Sequence, residues 1–156
     1  MAMTSEGELA DAVRGVRAVV GLVGGSLLEP LEQVTPPQYR ALVLLRALGP
    51  TPAGLLAERL GMQPSSSSRL VGRLARDGWL RRERDRVDRR LVVLTATDRA
   101  VELIAHTRRE RERALRAVLD GLDEEDRAVV LAGLTRLADA AGEPEPEALL
   151  PLALDD

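Results

Sequence analysis

Residues 63–95, QPSSSSRLVGRLARDGWLRRERDRVDRRLVVLT, govern how the rest of the chain is read. Gln63-Pro64 opens a helix, because proline at the first helical position gives up only an N–H that would be unpaired there anyway. Leu70, Val71 and Leu74 then recur three and four apart and make an apolar stripe, and the helix runs to Asp77 and stops at Gly78. Ser65, Ser66, Ser68, Arg69, Gly72, Arg73 and Arg76 share the other face. Ser67 falls on the apolar side, where an aliphatic residue would fit better, and its hydroxyl is expected to bond back to the helix backbone. Trp79–Arg82 and Leu91–Leu94 are two short strand candidates around a charged tip, Glu83 to Arg90. The stretch thus reads as a helix followed by a basic hairpin.

Four serines in a row also describe a flexible linker. Placed in the first turn after a proline, their hydroxyls and the free backbone N–H groups can instead meet phosphate. Both readings stand on these residues alone. Charge weighs on the choice. Residues 69–90 hold nine arginines against four acids, a net of +5, whereas the remaining residues hold 13 arginines against 21 acids, a net of −8. One basic surface on an acidic body is the electrostatic footprint of a polyanion binder. A merely solvated charged hairpin would carry the same composition.

Upstream, Leu9, Ala12, Val13, Val16, Val19, Val20, Val23 and Leu27 form a helical stripe from Glu8 to about Leu28. Gly21, Gly24, Gly25 and Pro30 predict an end or bend in it, since each glycine costs ~1 kcal/mol in a helix interior. Residues 1–7 read as frayed. Thr35-Pro36 is a second start, with a hydroxyl cap before the proline, and its helix stops at Gly49-Pro50. Thr51-Pro52 repeats that start signal for a short helix, Ala53 to Leu60, which Gly61 ends. Two short helices joined by a tight glycine turn, the second more basic, make a helix-turn-helix pattern.

Downstream, Thr95 with Asp98 resembles a capping box and opens a long helix to about Leu119. Its stripe (Ala100, Leu103, Ile104, Thr107, Ala114, Leu115, Val118) is interrupted by charges at 108–113. Asp123 caps a last helix bearing Val130, Leu131, Leu134, Leu137, Ala138 and Ala141. The tail from Gly142 is acidic and proline-containing, yet apolar enough at PEALLPLAL to dock. The chain therefore divides into an N-terminal helix and linker (1–34), a helix-turn-helix with its hairpin (35–96), two C-terminal helices (97–141) and the tail (142–156).

At 156 residues the chain has room for one sizeable core. It has no cysteine and one histidine, His106, which excludes disulfides and thiolate sites and makes a metal cluster improbable. No glycine-rich phosphate loop and no nucleophile-and-base pair is present, so an enzyme is not expected, nor is any cofactor or metal. No run reaches the ~18–20 apolar residues needed to span a bilayer, and the acidic N-terminus is unlike a secretory signal. The expectation is a cytoplasmic protein with no membrane partner.

In Thr35-Pro-Pro-Gln-Tyr-Arg-Ala-Leu, Leu55-Leu-Ala-Glu-Arg-Leu-Gly-Met, Ser68-Arg-Leu-Val-Gly-Arg-Leu-Ala-Arg-Asp-Gly-Trp-Leu, Asp88-Arg-Arg and Leu94-Thr, the chain resembles the MarR family of winged helix-turn-helix transcriptional regulators. The likeness covers roughly residues 8–141. It departs in the wing, where the spacing from Asp88-Arg89-Arg90 to Leu94-Thr95 is two residues shorter than usual, which predicts a shorter second strand or a tip role passed to Asp85-Arg86. Asp98 stands where the family has glycine, and Ser67 where it has a small aliphatic residue.

The resemblance implies a mainly α fold with a small β-hairpin wing, flanked by N- and C-terminal dimerisation helices. It implies a homodimer that binds a pseudo-palindromic operator in double-stranded DNA, most often as a repressor. Ser65, Ser66, Ser68, Arg69 and Arg73 are the expected recognition-helix contacts, since a helix fits the major groove and arginine pairs with guanine. In the wing, Arg89 or Arg90 is expected at the minor groove, Asp88 as their salt-bridge partner, and Arg86 as the alternative reader. Arg81, Arg82 and Arg84 rank below the tip. Relatives commonly release DNA when a small aromatic anion binds between dimer helices and reading domain. Tyr39 and Trp79, the only aromatics, fall near that junction, although core packing also accounts for each. A protein-docking winged helix without sequence-specific DNA binding, and C-terminal helices folded back within one subunit, are the alternatives.

Overall fold

The computed structural model describes residues 5–85 and 88–143. The order is α1 (Glu6–Gly24), a 3-10 turn (Gly25–Leu27), α2 (Leu28–Gln33), α3 (Pro36–Leu48), β1 (Thr51–Pro52), α4 (Ala53–Arg59), α5 (Pro64–Arg76), β2 (Leu80–Arg84), β3 (Val92–Ala96), α6 (Asp98–Leu119) and α7 (Glu124–Ala140). The fold is mainly α with one small antiparallel sheet, ordered β1-β3-β2.

Local chemistry sets the boundaries. Ser5 caps α1: the Glu8 carboxylate accepts from the Ser5 N–H and hydroxyl, both at 2.7 Å, and the helix begins at Glu6 rather than Glu8. These bonds hold the Glu8 carboxyl below its ordinary value. At the glycine cluster α1 ends at Gly24 and gives way to the 3-10 turn that leads into α2. Pro30 fits inside α2 because it lies in the first turn, where an N–H is not required. At α3, Gln38 Oε1 accepts from the Thr35 N–H and hydroxyl at 2.8 and 2.9 Å. Gly49, Gly61 and Gly78 take positive φ at the three breaks that shape the helix-turn-helix and its exit into the wing.

Leu42, Leu45, Leu56, Leu70, Leu74 and Leu94 are fully buried and bring α3, α4, α5 and β3 onto one core. Burial of each such side chain is worth roughly 1.5–3 kcal/mol. Ala100, Leu103 and Ile104 fix the N-terminal half of α6 to the same core. Beyond it the pattern changes. No residue of α1 or α7 is buried, and Leu9, Val13, Val16, Val20, Val129, Leu131 and Leu137 are all exposed. Among the described residues these side chains have no cover, while Val19, Val23 and Leu134 on the same helices are half-buried.

Several expectations are corrected here. Thr51-Pro52 is not only a helix start: it pairs with β3, Thr51 opposite Leu94 and Pro52 opposite Val93. The N-cap position of the long helix is Thr97, not Thr95, because Thr95 is committed to β3 opposite Arg81, and the Thr97 side chain makes no capping bond. The Thr97 hydroxyl donates to the carbonyls of Gly78 and Trp79 at 2.9 and 3.1 Å and ties the base of the hairpin. The second wing strand is not shortened; it lies one to two residues later than expected and pairs along its whole length, from Leu80 opposite Ala96 to Arg84 opposite Val92. The apolar tail segment lies outside the described residues.

Candidate nucleic-acid interface

Helix α5 forms because its apolar positions keep helical spacing against a polar remainder. Ser67, Leu70, Val71 and Leu74 are buried against the core, and Ser65, Ser66, Ser68, Arg69, Arg73 and Arg76 are exposed. Gln63, the residue before the helix, makes no side-chain cap, so the first-turn N–H groups stay open to an external acceptor. Ser67 departs from its expectation. Its residue is 3% exposed and its hydroxyl makes no hydrogen bond among the described residues, neither to the helix backbone nor elsewhere.

The hairpin continues the basic surface. Leu80 anchors β2 in the core, while Arg81, Arg82, Glu83 and Arg84 are exposed. At the tip the Asp85 N–H donates to the Leu91 carbonyl at 3.0 Å and the Leu91 N–H to the Asp88 carbonyl at 2.9 Å. Two carboxylates shape the turn: Asp85 Oδ1 accepts the Asp88 N–H at 2.8 Å, and Asp88 Oδ1 accepts the Arg90 N–H at 3.0 Å. Asp88 therefore holds backbone, in place of the expected side-chain pairing with Arg89 or Arg90. Both arginines are exposed beside it. Arg86 lies outside the described residues.

Nearly every arginine on this face is left without an ion pair. Among the described residues, Arg69, Arg73, Arg81, Arg82, Arg84, Arg89 and Arg90 form no ion pair, and only Arg76 is engaged, with Asp77 at 3.3 Å. Two arginines of α6 are matched within the helix, Arg108 to Glu112 at 2.6 Å and Arg113 to Glu110 at 2.9 Å. Unmatched guanidiniums keep their full charge and donor set for an external anion. Strand alternation, which sequence ranking of the wing arginines left unused, separates them further. Arg82 lies opposite Leu94 in the register and so shares the helix-facing side of the sheet with Leu80.

Tyr39 and Trp79 line different cavities. Tyr39, buried, borders a cleft of about 590 Å³ between α3 and α6 that also meets Val43, Arg46, Ile104, Arg108 and Arg111. The Arg111 guanidinium stands 5.6 Å from the Tyr39 ring centroid. Trp79, also buried, borders a smaller cavity of about 230 Å³ and is covered by Arg99, 3.8 Å from its centroid. That guanidinium also donates to the Asp77 carbonyl at 3.3 Å, and His106 Nε2 lies 2.9 Å from a Glu29 oxygen at the rim. A further contact had no signal in the sequence: Arg40 forks onto Glu143 at 2.7 and 2.6 Å, joining α3 to the end of α7 across 103 positions. The carboxylate raises the Arg40 pKa, burial opposing it more weakly.

Residues 34–92 match the MarR family model. Two similar proteins, both uncharacterized HTH-type transcriptional regulators of Bacillus subtilis strain 168, are YfiV, 30% identical over 67% of this chain, and YsmB, 25% identical over 83%. The matched part spans 65% of YfiV, just under two thirds, and 90% of YsmB. Among solved structures, RV1404 from Mycobacterium tuberculosis is 28% identical with a TM-score of 0.81, over 92% of this chain and 99% of that one. A MarR family protein from Bacillus stearothermophilus is 25% identical with a TM-score of 0.73, over 90% and 99%. The PcaV transcriptional regulator of Streptomyces coelicolor, solved with its natural ligand, is 29% identical with a TM-score of 0.56, over 90% and 99%. With the helix order, the three-stranded wing and the C-terminal helix pair all in place, residues 34–92 form a MarR family domain and the chain has the fold of that family's winged helix-turn-helix regulators.

Proposed function

We propose that this protein is a sequence-specific DNA-binding regulator that acts in the cytoplasm as a homodimer on a pseudo-palindromic operator, as a repressor released by a small aromatic anion. The observation that carries the reading is the face of α5 and the wing, where seven exposed arginines have no carboxylate partner among the described residues. Ser65, Ser66, Ser68, Arg69 and Arg73 enter the major groove, and Arg89 or Arg90 reaches the flanking minor groove from a tip held by Asp88. Arg86 remains the alternative there.

The exposed apolar side chains of α1 and α7 favour the dimer. Exposed apolar surface of that extent marks a protein contact, and a two-fold partner doubles the DNA footprint. Residues 1–34 and 97–141 then form the dimer base and 35–96 the reading domain. For the effector, the cleft beside Tyr39 combines an aromatic, apolar walls and four arginines with three glutamates. Arg108 is paired with Glu112, while Arg109 and Arg111 form no ion pair among the described residues and can take an aromatic carboxylate. PcaV supplies a relative with a natural small ligand. Trp79, already covered by Arg99, contributes packing.

Incubation of the purified chain with random-sequence duplexes tests the reading. Enrichment of an inverted repeat supports it. Retention of an acidic protein partner without any enriched duplex points to the docking-module alternative.

A further inference from the structure

Between α5, α4 and β2 lies a groove of about 240 Å³, bordered by Ala53, Pro64, Ser67, Ser68, Val71 and Arg82. No acidic residue lines it. Its only charge is the Arg82 guanidinium, exposed and without an ion-pair partner among the described residues. Its floor includes the Ser67 hydroxyl, on a residue 3% exposed and without a hydrogen bond. The Ser67 oxygen is not sealed off but opens onto the groove, so its hydroxyl is free to donate to an occupant there. Ser68 adds a second hydroxyl at the rim. A cation and two hydroxyl donors with no competing carboxylate form an oxyanion site.

Position identifies the oxyanion. Adjacent major and minor grooves of a duplex are separated by one sugar–phosphate strand. A protein that puts α5 in the major groove and its wing in the neighbouring minor groove must let that strand cross between them, where Arg82 stands. We propose that this groove seats one backbone phosphate per half-site, held by Arg82 and the hydroxyls of Ser67 and Ser68. The inference rests on the DNA-binding reading above and goes beyond it by assigning Arg82 and Ser67 to a phosphate contact. It fixes the register of α5 against the bases without reading them.

The test uses the full chain and the duplex it enriches, with one backbone phosphate at a time replaced by an uncharged methylphosphonate. Wild type should show one position per half-site, on the strand between the two grooves, where neutralisation lowers affinity about tenfold. Arg82→Gln should bind the unmodified duplex about tenfold more weakly, and neutralising that phosphate should then add nothing. Ser67→Ala should bind roughly threefold more weakly with an unchanged or higher melting temperature, because its hydroxyl has no bond to lose in the free protein. If Arg82→Gln fails to fold, the Ser67→Ala profile decides alone.

A profile in both variants identical to wild type, with Arg69→Ala still relaxing sequence choice, overturns the phosphate seat and leaves the DNA reading intact. Displacement of wild type, but not Arg82→Gln, by inorganic phosphate at constant ionic strength makes the groove a free-anion site and overturns the backbone assignment. Failure of wild type to enrich any duplex overturns both.

Discussion

Arg69 and Arg73 stand one helical turn apart on the exposed side of α5, so both guanidiniums can point into a single groove. A bidentate arginine–guanine pair is worth about 1–3 kcal/mol of discrimination. Arg69→Ala or Arg73→Ala should therefore lower operator affinity and narrow the gap between operator and mismatched duplex, as read in a competition titration. Arg89→Ala should instead weaken all sequences alike and reduce the salt slope by about one. At this scale the sequence identified which side chains face outward, because helical period alone decides that for Ser65, Arg69 and Arg73. It could not identify what their neighbours bond. Asp88 spends its carboxylate on the Arg90 N–H, and Ser67 leaves its hydroxyl open, because both outcomes depend on a turn and a groove assembled from separate segments.

Among the elements, every helix but α2 was legible from apolar spacing and from proline or hydroxyl starts, since those signals are local; six residues around Pro30 read instead as linker. Strand β1 was not: two residues carry no period, and Thr51-Pro52 acts as a strand only because Leu94 and Val93 pass beside it. Thr97 displaced Thr95 at the N-cap position of α6 for the same reason, the hairpin having claimed Thr95 first. Helix α5 depends on its buried stripe, so Leu74→Ala, at a fully buried position, should cost about 2–5 kcal/mol in urea unfolding while leaving the exposed face chemically unchanged. The Ser5–Glu8 cap carries a pH signature. Its carboxyl sits below the ordinary 4.5, so the cap stabilises α1 above that value and is lost as pH falls through the depressed folded-state pKa. Amide exchange in the first turn of α1 should accelerate over that acid range in wild type and already be fast at neutral pH in Ser5→Ala.

On the scale of the whole molecule, the amphipathic stripes of α1 and α7 were legible but not what covers them, and the described residues leave them largely open. If a second copy covers them, Val16→Glu with Leu131→Glu should convert a dimer to a monomer in sedimentation while helical circular dichroism persists, since both side chains are exposed within the subunit. The Arg40–Glu143 bridge, which fastens the end of α7 to α3, could not be foreseen because no sequence pattern links residues so far apart. Dimer base, reading helix and wing serve one central claim: unpaired arginines of α5 and the hairpin meet duplex DNA twice, across a two-fold axis. The most direct measurement is selection of random duplexes by the wild-type chain, with titration of the enriched sequence at rising salt. Two such faces across a two-fold axis should select an inverted repeat with half-sites about one helical turn, ~34–36 Å, apart, with affinity that falls steeply with salt as counterions are released. No enriched sequence, or binding indifferent to salt, would contradict that claim.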